Sequence, residues 1–471
     1  MTRDHVAVVV VGAGPCGIGC VRELHRLGAA SPDRVLVLEA ADHPGGLGAS
    51  VVDQAGFTWD RGGHVVFSHH GEFDRLLLDV LGDEVLHHDR SSWVLADGAW
   101  VPYPFQNNLH RLGPEGAREC LVGMIEAAGS RPAQPAGGHG VGGDGAGDGA
   151  GAGEPSFAAW IQATFGPGVA RRFLTPYNTK VWATDPADMG AGWIAERVSV
   201  TDWRTVLANT LARRDDLAWG PNNRFTFPAV GGTGEIWARA AAPLAPLIRY
   251  GVPVERVHAG ERWVEAGGGR TSFDHLVTTM PLDLLVARTV DAPDEVREAA
   301  AMLVHNTVHV VGVGVEAPLV DDRSWLYFPD PEVPFYRATN FAKYSPANVP
   351  GADTARYSSW MCEVASSATH PRTLDHIGPD VVDALRHTGL VPPDAPIASL
   401  HVEELPYAYP VPTRGRDAAL AVVQPWLDAR GIYARGRFGT WRYEIGNMDH
   451  AVKMGIDVAR RIVSGTAEEL V

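Results

Sequence analysis

The β-branched run Val6-Ala7-Val8-Val9-Val10-Val11 leads straight into Gly12-Ala13-Gly14-Pro15-Cys16-Gly17. A continuous apolar run of this kind reads as a buried parallel strand. Residues Cys16 to Leu27 read as the following helix, and Val35-Leu36-Val37-Leu38 as a second buried strand ending at Glu39. Each glycine has a separate job in such a turn. Gly12 permits the tight bend, Gly14 lets backbone approach a pyrophosphate, and Gly17 lets helix and strand pack closely. The helix N-terminus then faces the phosphates, and Glu39, 22 residues after Gly17, can accept from ribose hydroxyls. Strand, turn, helix and acid together point to a dinucleotide-binding unit.

The rest of the chain must be built around that unit. At 471 residues there is room for about three domains of ~150 residues. The formal charge is 40 − 56 = −16, which argues against a nucleic-acid partner, since that needs a basic face. Four cysteines in 471 residues make no disulfide framework, and a reducing, cytoplasmic setting is expected. No run approaches the ~18 apolar residues of a membrane span, so no membrane association is expected, and no signal peptide is read at the start.

The fold class expected is α/β: a Rossmann-like FAD-binding domain with an inserted mainly helical domain and an antiparallel-sheet substrate domain. The first comprises 1–104, 224–300 and 410–471. The helical substrate domain is 105–223, and the sheet substrate domain is 301–409. Residues 129–155, eleven of them glycine, read as a disordered surface insertion, because they cannot bury enough apolar area to offset their ordering entropy. Helices are expected over 115–128, 156–173 and 193–214, and strands over 224–227, 252–257, 276–279 and 305–315. A helix over 293–302 and a closing amphipathic helix over 449–463 complete the reading.

Further glycine pairs turn the dinucleotide reading toward FAD. Pro44-Gly45-Gly46 and Arg61-Gly62-Gly63-His64 follow the first unit. Near the other end, Gly436-Arg437-Phe438-Gly439 and Gly446-Asn447-Met448-Asp449 precede a helix. Their joint order resembles the flavin amine-oxidase and mutase superfamily. The blocks Gly62 to His69, Trp100 to Asn108, Pro176 to Trp182, Trp193 to Val198, Trp219 to Asn222, Pro334 to Thr339 and Arg435 to Asn447 are similar to the UDP-galactopyranose mutase family, in particular its eukaryotic-type branch.

That resemblance implies an isomerase that interconverts the pyranose and furanose forms of an NDP-hexose. Its FAD, active when reduced and with NAD(P)H as electron donor, attacks the anomeric carbon through flavin N5 and expels the diphosphate. It implies a clamp of Arg197 and Arg337 on that diphosphate, and arginine's planar fork suits paired phosphate oxygens. His64 is implied beside the flavin, tuning its protonation. Tyr103, Phe105 and Gln106 are implied to hold the base, since an aromatic face stacks it and an amide reads its edge. Asn178 and Trp182 are implied to line the sugar pocket with Asn222 nearby, and Arg90 joins the substrate set. Tyr327, Tyr344, Tyr409 and Tyr443 are candidate donors to the diphosphate, although buried tyrosines often only pack. The cofactor set is Gly12, Gly14, Gly17, Glu39, Gly45, Gly46, Gly62, Gly63, Arg437 and Asn447. His64, His69, His70, His87 and His88 match no zinc spacing, so no metal is expected.

The chain departs from the family pattern at Ala218, Met448, Thr179, Asn340, Lys343 and Gly46-Leu47-Gly48. Loss of one hydrogen-bonding group near the base can change which ligand is selected. Two alternatives therefore stand beside UDP-galactopyranose: a GDP- or dTDP-linked (deoxy)hexose, such as GDP-fucose, with altered cofactor use, and an amine-oxidase-like reaction.

Overall fold

The computed structural model describes residues 5–130, 155–194, 197–217, 223–373 and 375–471. The core of the glycine-rich stretch and the Trp219 to Asn222 block, Asn222 included, lie outside the described residues.

The valine run forms the strand His5–Val11, and the glycine turn opens the helix Pro15–Arg26. Proline in the first helical turn fits there because its missing N–H would have no partner anyway. The strand sits inside a seven-stranded sheet, in parallel register with Val35–Leu38 on one side and Gly269–Thr278 on the other. Gly269–Thr278 pairs Trp263–Ala266 through its first half and Ile432–Ala434 through its second. All four residues of Val35–Leu38 are buried, as a strand covered on both faces requires. The helix Met448–Ser464 packs across Pro15–Arg26, and a Cβ at Gly455 would stand 2.1 Å from the Cys16 carbonyl oxygen.

A second seven-stranded sheet runs in the order Ile397–Val411, Val304–Val315, Ser358–Ser366, Arg337–Asn340, Trp325–Tyr327, Ser92–Ala96, Ala99–Pro102. Its neighbours are antiparallel except Ser92–Ala96 against Trp325–Tyr327. Residues 92–102, expected with the FAD-binding segments, thus belong to this sheet. Their alternating burial marks a strand, but alternation identifies a face and not the partner that covers it.

Helices Pro114–Gly129, Phe157–Val169, Thr175–Trp182 and Trp203–Ala212 form the helical part. A π-helical stretch, Ala170–Leu174, leads into Thr175–Trp182. The helix expected from Trp193 begins only at Trp203. Phe57, Trp59, Phe105, Phe157, Phe165, Trp182 and Tyr336 are part of the large aromatic-rich core shared by the helices and the second sheet. All four cysteines are buried and free. No helix among the described residues is long and apolar enough to cross a membrane.

Candidate active site

A cleft of ≈ 500 Å³ opens between the second sheet, the helix Thr175–Trp182, the Gly62-Gly63-His64 turn and the segment before the closing helix. Of the residues singled out from sequence, Gly62, Gly63, His64, Arg90, Tyr103, Asn178, Trp182, Arg197, Tyr327, Arg337, Tyr409, Arg437, Tyr443 and Asn447 line it. They come from segments far apart in the chain, and folding brings them to one opening.

The dinucleotide turn fits a pyrophosphate. Gly12 has φ +100°, and a Cβ there would lie 2.0 Å from Thr279 Oγ1. A Cβ at Gly17 would lie 1.9 Å from the Gly12 carbonyl oxygen, so only glycine lets the helix sit this close to the turn. Around Gly14 the space is open: the nearest atom to a Cβ there is 3.8 Å away, the carbonyl oxygen of Gly45. No side chain caps the helix Pro15–Arg26, so its N-terminal amides face that space unclaimed. Glu39 accepts the Ala13 and Ala41 amides at 2.6 and 2.8 Å. Each carboxylate oxygen has a second lone pair, so Glu39 can hold the loop and still accept a ribose hydroxyl. The residues present therefore fit an FAD.

At the inner end, Glu363 joins three groups. It lies on the strand Ser358–Ser366 and is almost fully buried. It accepts Arg337 Nε and Nη2 at 2.9 and 2.6 Å, the Gly63 amide at 2.7 Å, and the Tyr336 hydroxyl. Burial pushes its carboxyl up, but Arg337, Tyr336 and the Gly63 amide together hold it below the ordinary value. Arg337 also stacks over Trp325, its Cζ 4.3 Å from the ring centroid. Its Nη1 makes no hydrogen bond to a described residue and remains available to an anion.

His64 follows Gly63, and its buried Nδ1 has no hydrogen-bond partner. Burial, then the Arg437 charge, pushes its imidazole down to about 4, so the ring is neutral. Beneath it Asp60 accepts Ser50 Oγ at 2.5 Å and Thr233 Oγ1 at 2.9 Å. Burial outweighs these bonds and pushes Asp60 up to about 7.

Arg197 approaches from the other wall. It donates to the Glu444 and Tyr443 carbonyls at 2.7 and 3.3 Å and to Asn447 Oδ1 at 3.3 Å. None of these is a carboxylate, and no carboxylate among the described residues pairs with Arg197. Arg437 donates to the Gly446 carbonyl at 2.9 Å, and Asn447 is the N-cap of the closing helix. Arg90 reaches Tyr327 Oη at 3.3 Å. Trp182 meets Tyr443 edge-on at 4.8 Å and Tyr409 at 6.0 Å.

Three sequence candidates stand back from the cleft. Phe105 is buried against Phe173 at 5.1 Å. Gln106, 1% exposed, donates its amide to the Ser199 carbonyl. Tyr344 is buried in the core, packed on Phe225 and Phe227. Their side chains follow the base-holding and tyrosine expectations in sequence position, but packing turns them into the core.

The cleft also contains residues that sequence reading missed. Glu363 and Trp325 line it, and nothing in their spacing marks them. Tyr177 and Trp193 line it too, inside the Pro176 to Trp182 and Trp193 to Val198 blocks, where the sequence reading gives them no role. His69 and His450 line it too, and both donate toward Asp449, Nδ1 to carboxylate distances being 2.9 and 3.1 Å. These three are near enough to one another to hold a metal ion. The expectation of no metal considered His69 only with histidines near it in sequence, and His450 arrives from the far end of the chain.

The arrangement is a slot lined by five arginines, Arg61, Arg90, Arg197, Arg337 and Arg437, with several tyrosine hydroxyls and a neutral histidine. It suits an anionic ligand whose charge grows in a dry environment. Residues 15–463 match the family described as flavin containing amine oxidoreductase. Among solved structures, the chain is similar to reduced UDP-galactopyranose mutase, with 34% identity and a TM-score of 0.89 over 98% of this chain and 94% of that one. Cyclohexylamine oxidase from Brevibacterium oxydans is 18% identical with a TM-score of 0.65, covering 97% of this chain and 98% of that one. A CLA-producing fatty acid isomerase from P. acnes is 15% identical with a TM-score of 0.62, covering 97% and 99%. The last two share the fold alone.

Proposed function

Because this chain belongs to the UDP-galactopyranose mutase family of flavin-containing amine oxidoreductases, we propose that it interconverts the pyranose and furanose forms of a nucleoside-diphosphate hexose on bound FAD. The observation that carries this reading is the meeting of Arg197 and Arg337 in the cleft that the Gly62-Gly63-His64 turn also lines. An amine substrate would have no use for two arginines there.

FAD would be held by the Gly12 to Gly17 turn and Glu39 at its nucleotide end, by Gly45 and Gly46, and by Gly62, Gly63, Arg437 and Asn447 toward its ring. When bound and reduced, the flavin supplies the nucleophile for the anomeric carbon. Arg197 and Arg337 hold the diphosphate, and their charge opposes the negative charge that builds on it as the glycosidic bond breaks. Tyr327, Tyr409 and Tyr443 donate hydroxyl hydrogens to the same oxygens. Burial pushes the Tyr409 phenol up, so it stays a donor. Asn178 and Trp182 orient the sugar and exclude water. His64, neutral and with a free Nδ1, hydrogen-bonds at the flavin edge without adding charge. The reaction consumes no electrons, so NAD(P)H serves only to keep the cofactor reduced.

UDP-galactopyranose is the first substrate to test. The position of Gln106 favours a second reading beside it: the same ring contraction on a GDP- or dTDP-linked hexose. With its side chain buried outside the cleft and one amide hydrogen on Ser199, Gln106 does not select uracil over guanine or thymine. The deciding experiment incubates dithionite-reduced protein with UDP-, GDP- and dTDP-hexoses and separates pyranose from furanose products. Turnover with one of them, absent in the stably oxidised protein, is expected. Equal turnover by oxidised protein, or peroxide release with amines and no sugar product, would refute the mutase reading.

A further inference from the structure

Lys180 lies on the helix Thr175–Trp182, and its side chain is buried away from the cleft. Its Nζ donates to four backbone carbonyls, those of Phe328, Asp330, Val333 and Phe335, at 2.8, 2.8, 2.7 and 2.8 Å. All four belong to the turn that joins the strands Trp325–Tyr327 and Arg337–Asn340. That turn contains Pro329, Pro331 and Pro334, which have no amide hydrogen and cannot satisfy carbonyls within the turn. A buried carbonyl needs a donor, and the three N–H groups of one ammonium are shared among these four, the Asp330 carbonyl also accepting the Val333 amide at 3.3 Å. No carboxylate lies within ion-pair distance of Nζ among the described residues. The charge is held by carbonyl dipoles at hydrogen-bond distance, with burial and Arg372 opposing it and the more distant Asp330 carboxylate favouring it.

Both elements joined in this way carry cleft residues. The helix presents Asn178 and Trp182. The strands place Tyr327 opposite Arg337 in register, and all four side chains line the cleft. The next residue of the helix gives a second anchor: Asn306 Nδ2 donates to the Val181 carbonyl at 2.8 Å. We infer that Lys180 is a positioning residue: its ammonium fixes the helix that bears Asn178 and Trp182 against the turn that bears Tyr327 and Arg337. The distance between the sugar wall and the diphosphate clamp is thereby set from outside the cleft. The inference rests on the mutase reading for what those four side chains do, but the tie itself is independent of it.

The test uses the FAD-loaded full chain. Lys180→Met keeps the volume and removes the donors. It is expected to retain flavin and fold, and to lose kcat by about 10- to 100-fold with a smaller change in KM, since misplacement near 1 Å has effects of that order. Lys180→Gln, which keeps two donors, is expected to lie between it and the parental chain, and it carries the test if the methionine variant does not fold. Lys180→Ala leaves a slot the length of propylammonium. Added propylammonium, but not tetramethylammonium, is expected to raise its melting temperature and restore part of its kcat. A folded, flavin-loaded methionine or glutamine variant with kcat within twofold of the parental value would overturn the inference. So would activity loss that only tracks the unfolded fraction. If the parental chain itself shows no sugar turnover, the functional reading fails. The melting arm then decides Lys180 alone, and no propylammonium-specific rise would overturn the tie.

Discussion

Arg337 and Glu363 are register partners on adjacent antiparallel strands, and Arg337 donates twice to Glu363 Oε1, at 2.9 and 2.6 Å. Arg337 is thus aimed by a buried acid that also holds the Gly63 amide. Arg337→Ala would leave Glu363 charged and unpaired in a dry site, and is expected to destabilise by about 3–5 kcal/mol. Arg337→Met combined with Glu363→Gln is expected to be less destabilising than the sum of the two single changes, as read by denaturant titration. Because the Glu363 carboxyl is held below its ordinary value, its contribution is present above pH ~4.3 and is lost as pH falls through its folded value.

Arg197 meets carbonyls and an amide oxygen but no carboxylate among the described residues. Arg197→Ala should leave melting and flavin spectrum near parental, while kcat/KM falls about 30- to 1,000-fold, or ~2–4 kcal/mol. Part of the loss should appear in kcat. Lysine should restore only some of it, because it brings a point charge without the fork. Steady-state kinetics at fixed salt checks this, and parental kcat/KM in the alanine variant would refute the clamp.

His64 sits at about 4, depressed first by burial and then by Arg437. Its stability contribution is complete above the unfolded value of ~6.5 and is lost as pH falls through about 4. His64→Gln is expected to flatten the dependence of melting temperature on pH in that window. No limb of the pH–rate profile between about 5 and 8 should vanish in this variant.

Asp60 has the opposite sign. Burial pushes it up to about 7, so between ~3.9 and about 7 the folded chain binds the extra proton. Its contribution is therefore complete at the acid end and lost as pH rises through about 7. Asp60→Asn should show a shallower decline of melting temperature across that range than the parental chain.

Gly455 stands where a Cβ would meet the Cys16 carbonyl oxygen at 2.1 Å and the Cys20 amide nitrogen at 2.7 Å. Both atoms are backbone, so neither can swing away. Gly455→Ala must part the closing helix from Pro15–Arg26, with a penalty of about 1–3 kcal/mol or more. Since the N-termini of both helices lie in the proposed FAD-holding segments, flavin retained through gel filtration should fall along with the melting temperature. Full flavin retention would show that the two helices can separate without disturbing the site.

Local constraints were legible in the chain. A run of valines, a glycine that needs positive φ, and an acid after the second strand define the first unit, because each depends on a few neighbouring residues. The blocks containing Arg197 and Arg337 were recognisable as blocks, and the structure brings both to one cleft. Less local features were misjudged. Residues 92–102 read as part of the FAD-binding segments, and nothing in their alternation says that Tyr327 and Val94 are partners. Gln106 sits in a recognisable segment, but the direction of its amide is set by Ser199, far along the chain.

The sequence by itself determined that this chain opens with a dinucleotide turn and carries cationic blocks suited to a diphosphate. Turn geometry and strand burial are written in adjacent residues. Only the tertiary structure decided that Glu363 aims Arg337, that Asp449 gathers His69 and His450, and that Lys180 satisfies four carbonyls of a proline-rich turn. Glu363 meets Arg337 across a strand register, His69 reaches the neighbours Asp449 and His450 from the other end of the chain, and the carbonyls that Lys180 meets lie 148 or more residues on. A side chain's type states what it can bond, and the folded topology states which group is there to be bonded.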